Sequence, residues 1–115
     1  MQPSVFKILT PEQWREFLAA QSFPGSPDDV RDGFIHLSAA SQLRGTLKRH
    51  FLCQTELMLI EVDVAILGAG LRYEVSRGGE RFPHFYGALP MPAVRRIWSI
   101  ELRDGDWNLP AELGV

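Results

Sequence analysis

The chain has 115 residues, of which 45% are hydrophobic and 23% are charged, and its formal net charge at pH 7 is −2. These values are ordinary for one soluble domain and give no reason to expect wholesale binding to nucleic acid or membranes. No apolar run approaches the roughly 18 to 20 residues of a membrane span, and the first residues lack the features of a signal peptide. We therefore expect a single cytoplasmic domain over residues 1–115. The single cysteine, Cys53, excludes an internal disulfide, and we expect a buried or half-buried thiol.

The first part of the chain predicts alternating strands and helices. Ser4–Leu9 contains β-branched and aromatic residues and predicts a strand. A helix follows, because Thr10–Gln13 supplies a capping residue, a proline for the first helical position and a capping-box glutamine. This helix should end near Gln21, before the turn-forming stretch Phe23–Pro27. Phe34–Ser38 predicts the second strand.

The rest of the chain predicts one more helix and several strands. Ser38 or Ser41 caps a second helix that carries Leu43 and Leu47 on its apolar side. Leu57–Asp63 is a nearly continuous apolar run and predicts a central strand. The remaining predicted elements are a helical turn at Val64–Leu67, strands at Leu71–Val75, Phe82–Tyr86 and Val94–Leu102, and a turn at Asp104–Trp107. This order predicts an α+β fold, with two helices from the N-terminal half packed on a mostly antiparallel sheet.

The segment Gly33–Ser38 places a histidine and a hydroxyl within an apolar run. Strand side chains alternate between faces, so Ile35 and Leu37 should face the core while His36 and Ser38 share the opposite face. A histidine can donate, accept or transfer a proton near neutral pH, which makes His36 a candidate catalytic residue. The alternative is a structural histidine bonded to the backbone.

The segment Arg72–Gly87 concentrates arginine, glutamate, histidine and tyrosine side chains around a Gly-Gly pair. Such a mixture is unsuited to a core and suits a binding cleft. Gly78 and Gly79 allow a close backbone approach, and Arg77 can grip phosphate or carboxylate with a forked pair of donors. His84 and Tyr86 follow at alternating strand positions. The alternative is an ordinary hairpin turn with solvated charges. We predict that this segment and His36 form one site.

Metal binding is a further alternative for the same residues. His36, His84 and Glu80 could supply two histidines and one carboxylate. However, the sequence lacks the paired histidine spacings H-x-H and H-E-x-x-H. We therefore expect no metal ligands.

Several segments resemble the small bacterial family known as domain of unknown function 952. They are Phe6–Thr10 with Trp14, Phe23–Pro27, Asp32–Ser38, Leu59–Asp63 and Arg72–Gly87. The likeness runs from about residue 5 to about residue 100, and the two histidine-bearing motifs are specific. This family resemblance implies no particular activity.

More distantly, the order of motifs resembles the RNA 2′-phosphotransferase branch of the ADP-ribosyltransferase superfamily, which binds NAD in a cleft of a split antiparallel sheet. Phe34–Ser38 is similar to that branch's His-Val-His-Leu-Ser strand, and Leu59–Asp63 is similar to its Leu-Glu-Val-Asp strand. Tyr73–Gly79 is similar to its Tyr-x-Ser-x-Asn-Gly segment. Lys7 stands where the first-strand histidine of that branch would hold the nicotinamide ribose. Glu80 and Glu74 are the candidates for a catalytic acid.

This second resemblance implies an ADP-ribosyltransferase-like domain whose ligand is NAD, another nucleotide or a phosphate-bearing metabolite. The catalytic candidates are His36, Glu80 and His84, and the binding candidates are Lys7, Ser38, Tyr73, Arg77, Gly78, Gly79 and Tyr86. NAD would be a substrate, no bound cofactor is expected, and an activity would be ADP-ribosyl or 2′-phosphate transfer. An RNA end is a further candidate ligand. The alternatives are a non-catalytic binding module on the same fold, or an interaction domain that uses Trp98, Trp107 and Phe85.

Overall fold

The computed structural model describes residues 4–115 except for the side chain of Arg77. Its helices are α1 Pro11–Ala20, α2 Pro27–Asp32, α3 Leu43–His50 and α4 Val64–Leu67. Its strands are β1 Val5–Leu9, β2 Ser22–Phe23, β3 Ile35–His36, β4 Glu56–Val62, β5 Leu71–Val75, β6 Arg81–Phe85, β7 Leu89–Pro90, β8 Val94–Arg103 and β9 Asp106–Trp107. The described strand pairs are antiparallel, so the expected α+β class is confirmed.

The strands form three sheets. The largest has the order β1-β4-β8-β9, a second has the order β3-β6-β5, and β2 pairs with β7. The apolar run predicted to be central is β4, which lies between β1 and β8 as expected. The two larger sheets meet at β1, where Phe6 and Ser38 exchange backbone hydrogen bonds of 2.8 and 2.9 Å. This junction brings β1 beside β3.

Both faces of the four-stranded sheet are covered by apolar side chains. One face packs against α1 and the inner face of the three-stranded sheet; this core includes Val5, Leu9, Ile60, Phe17, Ile35, Leu37 and Phe85. The other face packs against α3; that core includes Phe6, Ile8, Leu57, Leu59, Leu43 and Leu47. Because Ile35 and Leu37 point into the first core, His36 lies on the outer face of its sheet, as alternation predicts.

The two N-terminal capping boxes explain where α1 and α2 begin. In α1 the amide of Gln13 donates to Thr10 Oγ1 and the amide of Thr10 donates to Gln13 Oε1, which confirms the predicted start. Ser26 and Asp29 make the same reciprocal pair at α2. The stretch predicted as a turn therefore leads directly into a helix that the sequence analysis missed.

Other local expectations need correction. The second strand is shorter than predicted, because after the last bond to β6, from Leu37 N–H to Pro83 O, the chain turns away and Ser38 bonds to β1 instead. Cys53 is exposed rather than buried. Trp107 is not only part of a turn but pairs with β8 as β9. Among the described residues, no helix is long and apolar enough to cross a membrane.

Candidate functional site

A cleft of about 140 Å³ lies where β1 meets the three-stranded sheet. It is enclosed by β1, α2, α3 and the strands that carry the two predicted histidines. His36 and His84 are direct cross-strand partners, and their ring centroids are 5.7 Å apart. The structure thus brings together two segments that are distant in the sequence. Of the residues predicted for the site, Lys7, Ser38, His36 and His84 line this cleft.

The imidazole of His36 lies between two carboxylates of α2. Its Nδ1 is 2.6 Å from Asp29 Oδ1, and its Nε2 is 3.0 Å from Asp32 Oδ2. Both bonds to ionised carboxylates can form only when each ring nitrogen carries a hydrogen. The backbone amide of His36 also donates to Asp29 Oδ1. The orientation of His36 is therefore fixed by α2.

Lys7 is buried beside this pair and does not point into solvent. Its Nζ lies 2.9 Å from Asp29 Oδ2 and donates to the backbone oxygen of His36 at 3.0 Å. The ammonium group of Lys7 is thus engaged with other groups of the protein itself. Lys7 supports the site by holding Asp29 and the β3 backbone in place.

Burial and charge act in opposite directions on the buried ion pair. Burial favours the neutral form of Asp29, but the hydrogen bond from His36 and the charge of Lys7 outweigh it and hold the pKa of Asp29 well below its usual range. Burial lowers the pKa of Lys7, while Asp29 raises it in partial compensation. Asp29, which is only 2% exposed, is thus the buried carboxylate to which both Lys7 and His36 bond on this side of the cleft.

On the other side of the cleft, Glu74 of β5 holds His84. His84 Nδ1 lies 2.8 Å from Glu74 Oε1, and the hydroxyl of Tyr86 donates to the same oxygen at 2.7 Å. The hydrogen bonds from Tyr86 and His84 lower the pKa of Glu74, and the carboxylate in turn raises the pKa of Tyr86. Glu74 therefore positions both a histidine and a tyrosine.

The second ring nitrogen of His84, Nε2, is the candidate proton acceptor of the cleft. When Nδ1–H donates to Glu74, a neutral ring presents the lone pair of Nε2. Nε2 has no hydrogen-bond partner among the described residues, and those residues contain no buried side-chain nitrogen or oxygen without a partner. His84 is 5% exposed and lines the cleft. This geometry suits a proton acceptor.

An aromatic surface continues outward from the two histidines. The ring of Phe34 stacks on His84 at 4.0 Å and also contacts His36 and Tyr86, with centroid distances of 4.6 and 5.4 Å. The guanidinium of Arg72 lies 5.4 Å from the centroid of the Tyr86 ring. The outer face of the three-stranded sheet therefore offers flat aromatic area next to a cation.

The structure does not bring every predicted residue to the cleft. Tyr73 alternates with Arg72 and Glu74 on β5, so its side chain lies on the opposite face of the sheet. Gly78 and Gly79 have positive φ values and form the exposed tip of the hairpin with Glu80. The cleft is therefore not lined by four of the predicted residues, namely Tyr73, Gly78, Gly79 and Glu80. The prediction for Arg77 concerns a side chain outside the described part of the structure.

The residues that sequence reasoning missed are those that orient the histidines. Asp29 and Asp32 belong to the unpredicted helix, and Phe34 was treated only as the neighbour of His36. The Ser26-x-x-Asp29 capping box was the available signal for this helix. Within residues 4–115, apart from the Arg77 side chain, no group of three histidine, cysteine or carboxylate side chains is arranged to hold a metal ion.

Residues 8–97 match a family model described as "Protein of unknown function (DUF952)". The chain belongs to this family. The X-ray crystal structure of protein CC0527 from Caulobacter crescentus is 40% identical, with a TM-score of 0.89 over 97% of this chain and 99% of that chain. The solution NMR structure of CC0527 is 39% identical, with a TM-score of 0.80 over 90% of each chain. No curated protein matches this chain.

Proposed function

We propose that the cleft binds a ribose-bearing nucleotide, with NAD as the first candidate, on an ADP-ribosyltransferase-like fold. The observation that carries this proposal is the pair of imidazoles, each oriented by a carboxylate, that meet in a cleft between two antiparallel sheets. Carboxylate-oriented imidazoles can bond ribose hydroxyls and can move a proton. The order of sequence motifs supports the same fold.

The size of the cleft limits which part of a nucleotide it encloses. Its volume of about 140 Å³ is well below the roughly 300 to 1,000 Å³ of pockets that enclose drug-sized ligands. The enclosed part therefore suits one sugar or one ring, and the rest of a nucleotide would lie along the open aromatic surface of Phe34 and Tyr86.

The charges indicate that the enclosed part is the ribose rather than the phosphates. Asp28 and Asp32 line the cleft and pair there with Arg31, and the buried Lys7 is neutralised by Asp29. Hydroxyl groups can donate to these carboxylates, whereas a phosphate would be repelled by them. Arg72, beside Tyr86 on the open surface, is the described cation best placed for a phosphate.

The same arrangement supports group transfer. In ADP-ribosyl transfer the bond between ribose C1′ and the nicotinamide nitrogen breaks, a bond between C1′ and an acceptor oxygen forms, and the acceptor proton passes to His84 Nε2. Glu74 would stabilise the resulting imidazolium through Nδ1. A ribose hydroxyl would donate to Asp28 or Asp32, the carboxylates that line the cleft beside His36.

Calorimetric titration with NAD, ADP-ribose, ADP and ribose 5-phosphate tests the proposal. We expect NAD and ADP-ribose to bind and Glu74→Gln to weaken binding at least about tenfold, since a neutral amide holds the ring less firmly. Glu56→Gln is the matched control, because Glu56 is an exposed residue at the start of β4. Unchanged thermal unfolding of Glu74→Gln would exclude a folding defect.

Two outcomes separate the alternatives. Binding to none of the four compounds would refute the nucleotide proposal. Release of nicotinamide is measured by chromatography after incubation with NAD. Binding without this release would refute the transferase activity and support a non-catalytic binding module. An interaction domain built on the predicted aromatic residues is less well supported, because Phe85 and Trp107 are each only 8% exposed.

A further inference from the structure

The strand β5 forms an open edge of the three-stranded sheet. Within the described residues it pairs only with β6. Tyr73 is 44% exposed and Val75 is 60% exposed, and both lie on the same face of this edge. Proteins usually protect an open edge with charges, prolines or a covering element, because unpaired backbone groups next to apolar side chains attract another strand. The face of this edge that carries Tyr73 and Val75 is exposed and apolar, which suits strand pairing.

The hydrogen-bond pattern shows which backbone groups face outward. Tyr86 N donates to Gly70 O at one end of the β5–β6 pair, and Ser76 N donates to Glu80 O at the other. In an antiparallel ladder the bonded positions alternate, so Arg72 and Glu74 bond to β6 while Leu71, Tyr73 and Val75 point their N–H and C=O groups outward. Pro83, opposite Tyr73, has no N–H, which agrees with this pattern.

The sequence of β5 is complementary to itself in one antiparallel register. When two copies pair with Tyr73 opposite Tyr73, Leu71 faces Val75 of the second copy. In this register each outward N–H and C=O group of one β5 lies opposite a hydrogen-bonding partner on the other β5. The same register sets Arg72 opposite Glu74 of the second copy, at the closely spaced non-hydrogen-bonded positions. The apolar stripe of Leu71, Tyr73 and Val75 then continues across both strands. A shift of the register loses some of these pairs.

The side chains of β5 have capacity for the charged contact. Glu74 uses Oε1 to accept from His84 and Tyr86, and its Oε2 has no hydrogen bond among the described residues. Arg72 has a ring contact with Tyr86 but no ion pair within that part of the chain. The one described side chain that reaches the outward backbone is Arg81, at a long 3.4 Å from Tyr73 O. A second strand would replace that contact.

We propose that two copies of this chain associate through β5, paired antiparallel about Tyr73 to form one continuous six-stranded sheet. The contact is short, so it belongs to the weak class of interfaces and depends on concentration. Sedimentation velocity of the full chain from about 10 µM to about 1 mM should show a monomer that converts to a dimer.

Two matched pairs of variants test the backbone and the charges separately. Val75→Pro removes an outward N–H and should abolish the dimer, whereas Val75→Thr keeps that N–H and should retain it. Arg72→Glu places like charges opposite each other and should weaken the dimer at least about tenfold. Arg15→Glu makes the same change at an exposed position on α1 and should have no effect.

A mixing experiment distinguishes self-pairing in this register from every other contact. Each of the single variants Arg72→Glu and Glu74→Arg has the same charge at positions 72 and 74. Two copies of one variant would therefore repel each other, so each variant should be monomeric alone. In a mixture of the two variants, position 72 of each chain faces an opposite charge at position 74 of the other chain. The mixture should therefore form a heterodimer. A wild-type chain that stays monomeric at about 1 mM, a dimer unaffected by Val75→Pro, or a mixture that remains monomeric would each overturn the proposal.

Discussion

Replacing Asp29 with asparagine is the sharpest test of how the cleft is held together. The substitution keeps the size of the side chain but removes the charge that faces Lys7 Nζ at 2.9 Å and His36 Nδ1 at 2.6 Å. Lys7 is 6% exposed, so a buried ammonium would lose its counter-charge. Breaking a buried pair by removing one partner costs about 3–5 kcal/mol, a large part of a typical unfolding free energy of about 5–15 kcal/mol.

Urea unfolding followed by tryptophan fluorescence measures this cost. With an m-value of about 2 kcal/mol per M, the midpoint of Asp29→Asn should fall by about 2 M. Asp28→Asn is the matched control: it lies on the same helix, its side chain is 61% exposed, and its partner Arg31 is exposed as well. The control should change the unfolding free energy by no more than about 0.5 kcal/mol. Equal effects of the two substitutions would refute the reasoning.

A double-mutant cycle with Lys7→Met isolates the pair itself. The double variant Lys7→Met/Asp29→Asn removes both charges, so it should recover part of the stability that Asp29→Asn loses. We expect a coupling energy of about 1–3 kcal/mol for groups in direct contact. A coupling energy near zero would mean that Lys7 and Asp29 contribute independently.

The carboxylate of Asp29 makes the unfolding free energy depend on pH in the acidic range. In the folded chain the pKa of Asp29 is lowered from its ordinary value of 3.8, so the unfolded chain takes up a proton first as the pH falls. The contribution of Asp29 is therefore fully present above about pH 5 and is lost progressively as the pH falls below about 4. The difference in stability between wild type and Asp29→Asn should shrink over that range.

Three further predictions concern single positions. Ser26→Ala removes the acceptor at the start of α2 and should cost about 1 kcal/mol in urea unfolding. Gly70→Ala would place a methyl group 2.8 Å from Phe85 Cε1 and 3.2 Å from Tyr86 O, so it should destabilise the fold by about 1–3 kcal/mol. Cys53 is exposed and should react with a thiol reagent in the native protein as fast as in urea. A protected thiol, or a neutral Gly70→Ala, would contradict the structure.

The elements with strong local signals were predictable from the sequence. The capping residues of Thr10–Gln13 fixed the start of α1, and the unbroken apolar run of β4 indicated a central strand. Alternation alone placed His36 opposite Ile35 and Leu37. In each case the decisive interactions lie within a few residues, or follow from which face must be buried.

The elements that escaped prediction depend on contacts between distant residues. The two-residue strands β2 and β7 form only because they pair with each other. The role of Lys7 depends on Asp29, 22 positions away, and that pairing exists only once α2 packs beside β1. The capping box at Ser26 was visible in the sequence, but the proline and glycine before it favoured a turn.

The two halves of the cleft rely on carboxylates in opposite environments. Asp29 is buried and holds together α2, β1 and His36, so a change there should alter folding and binding together. Glu74 lies at the surface of β5 with its side chain 37% exposed and contacts mainly His84 and Tyr86. A change at Glu74 should therefore alter binding while the fold persists. Stability and ligand affinity measured for both substitutions would thus distinguish the structural half of the site from the half that is free to act on a ligand.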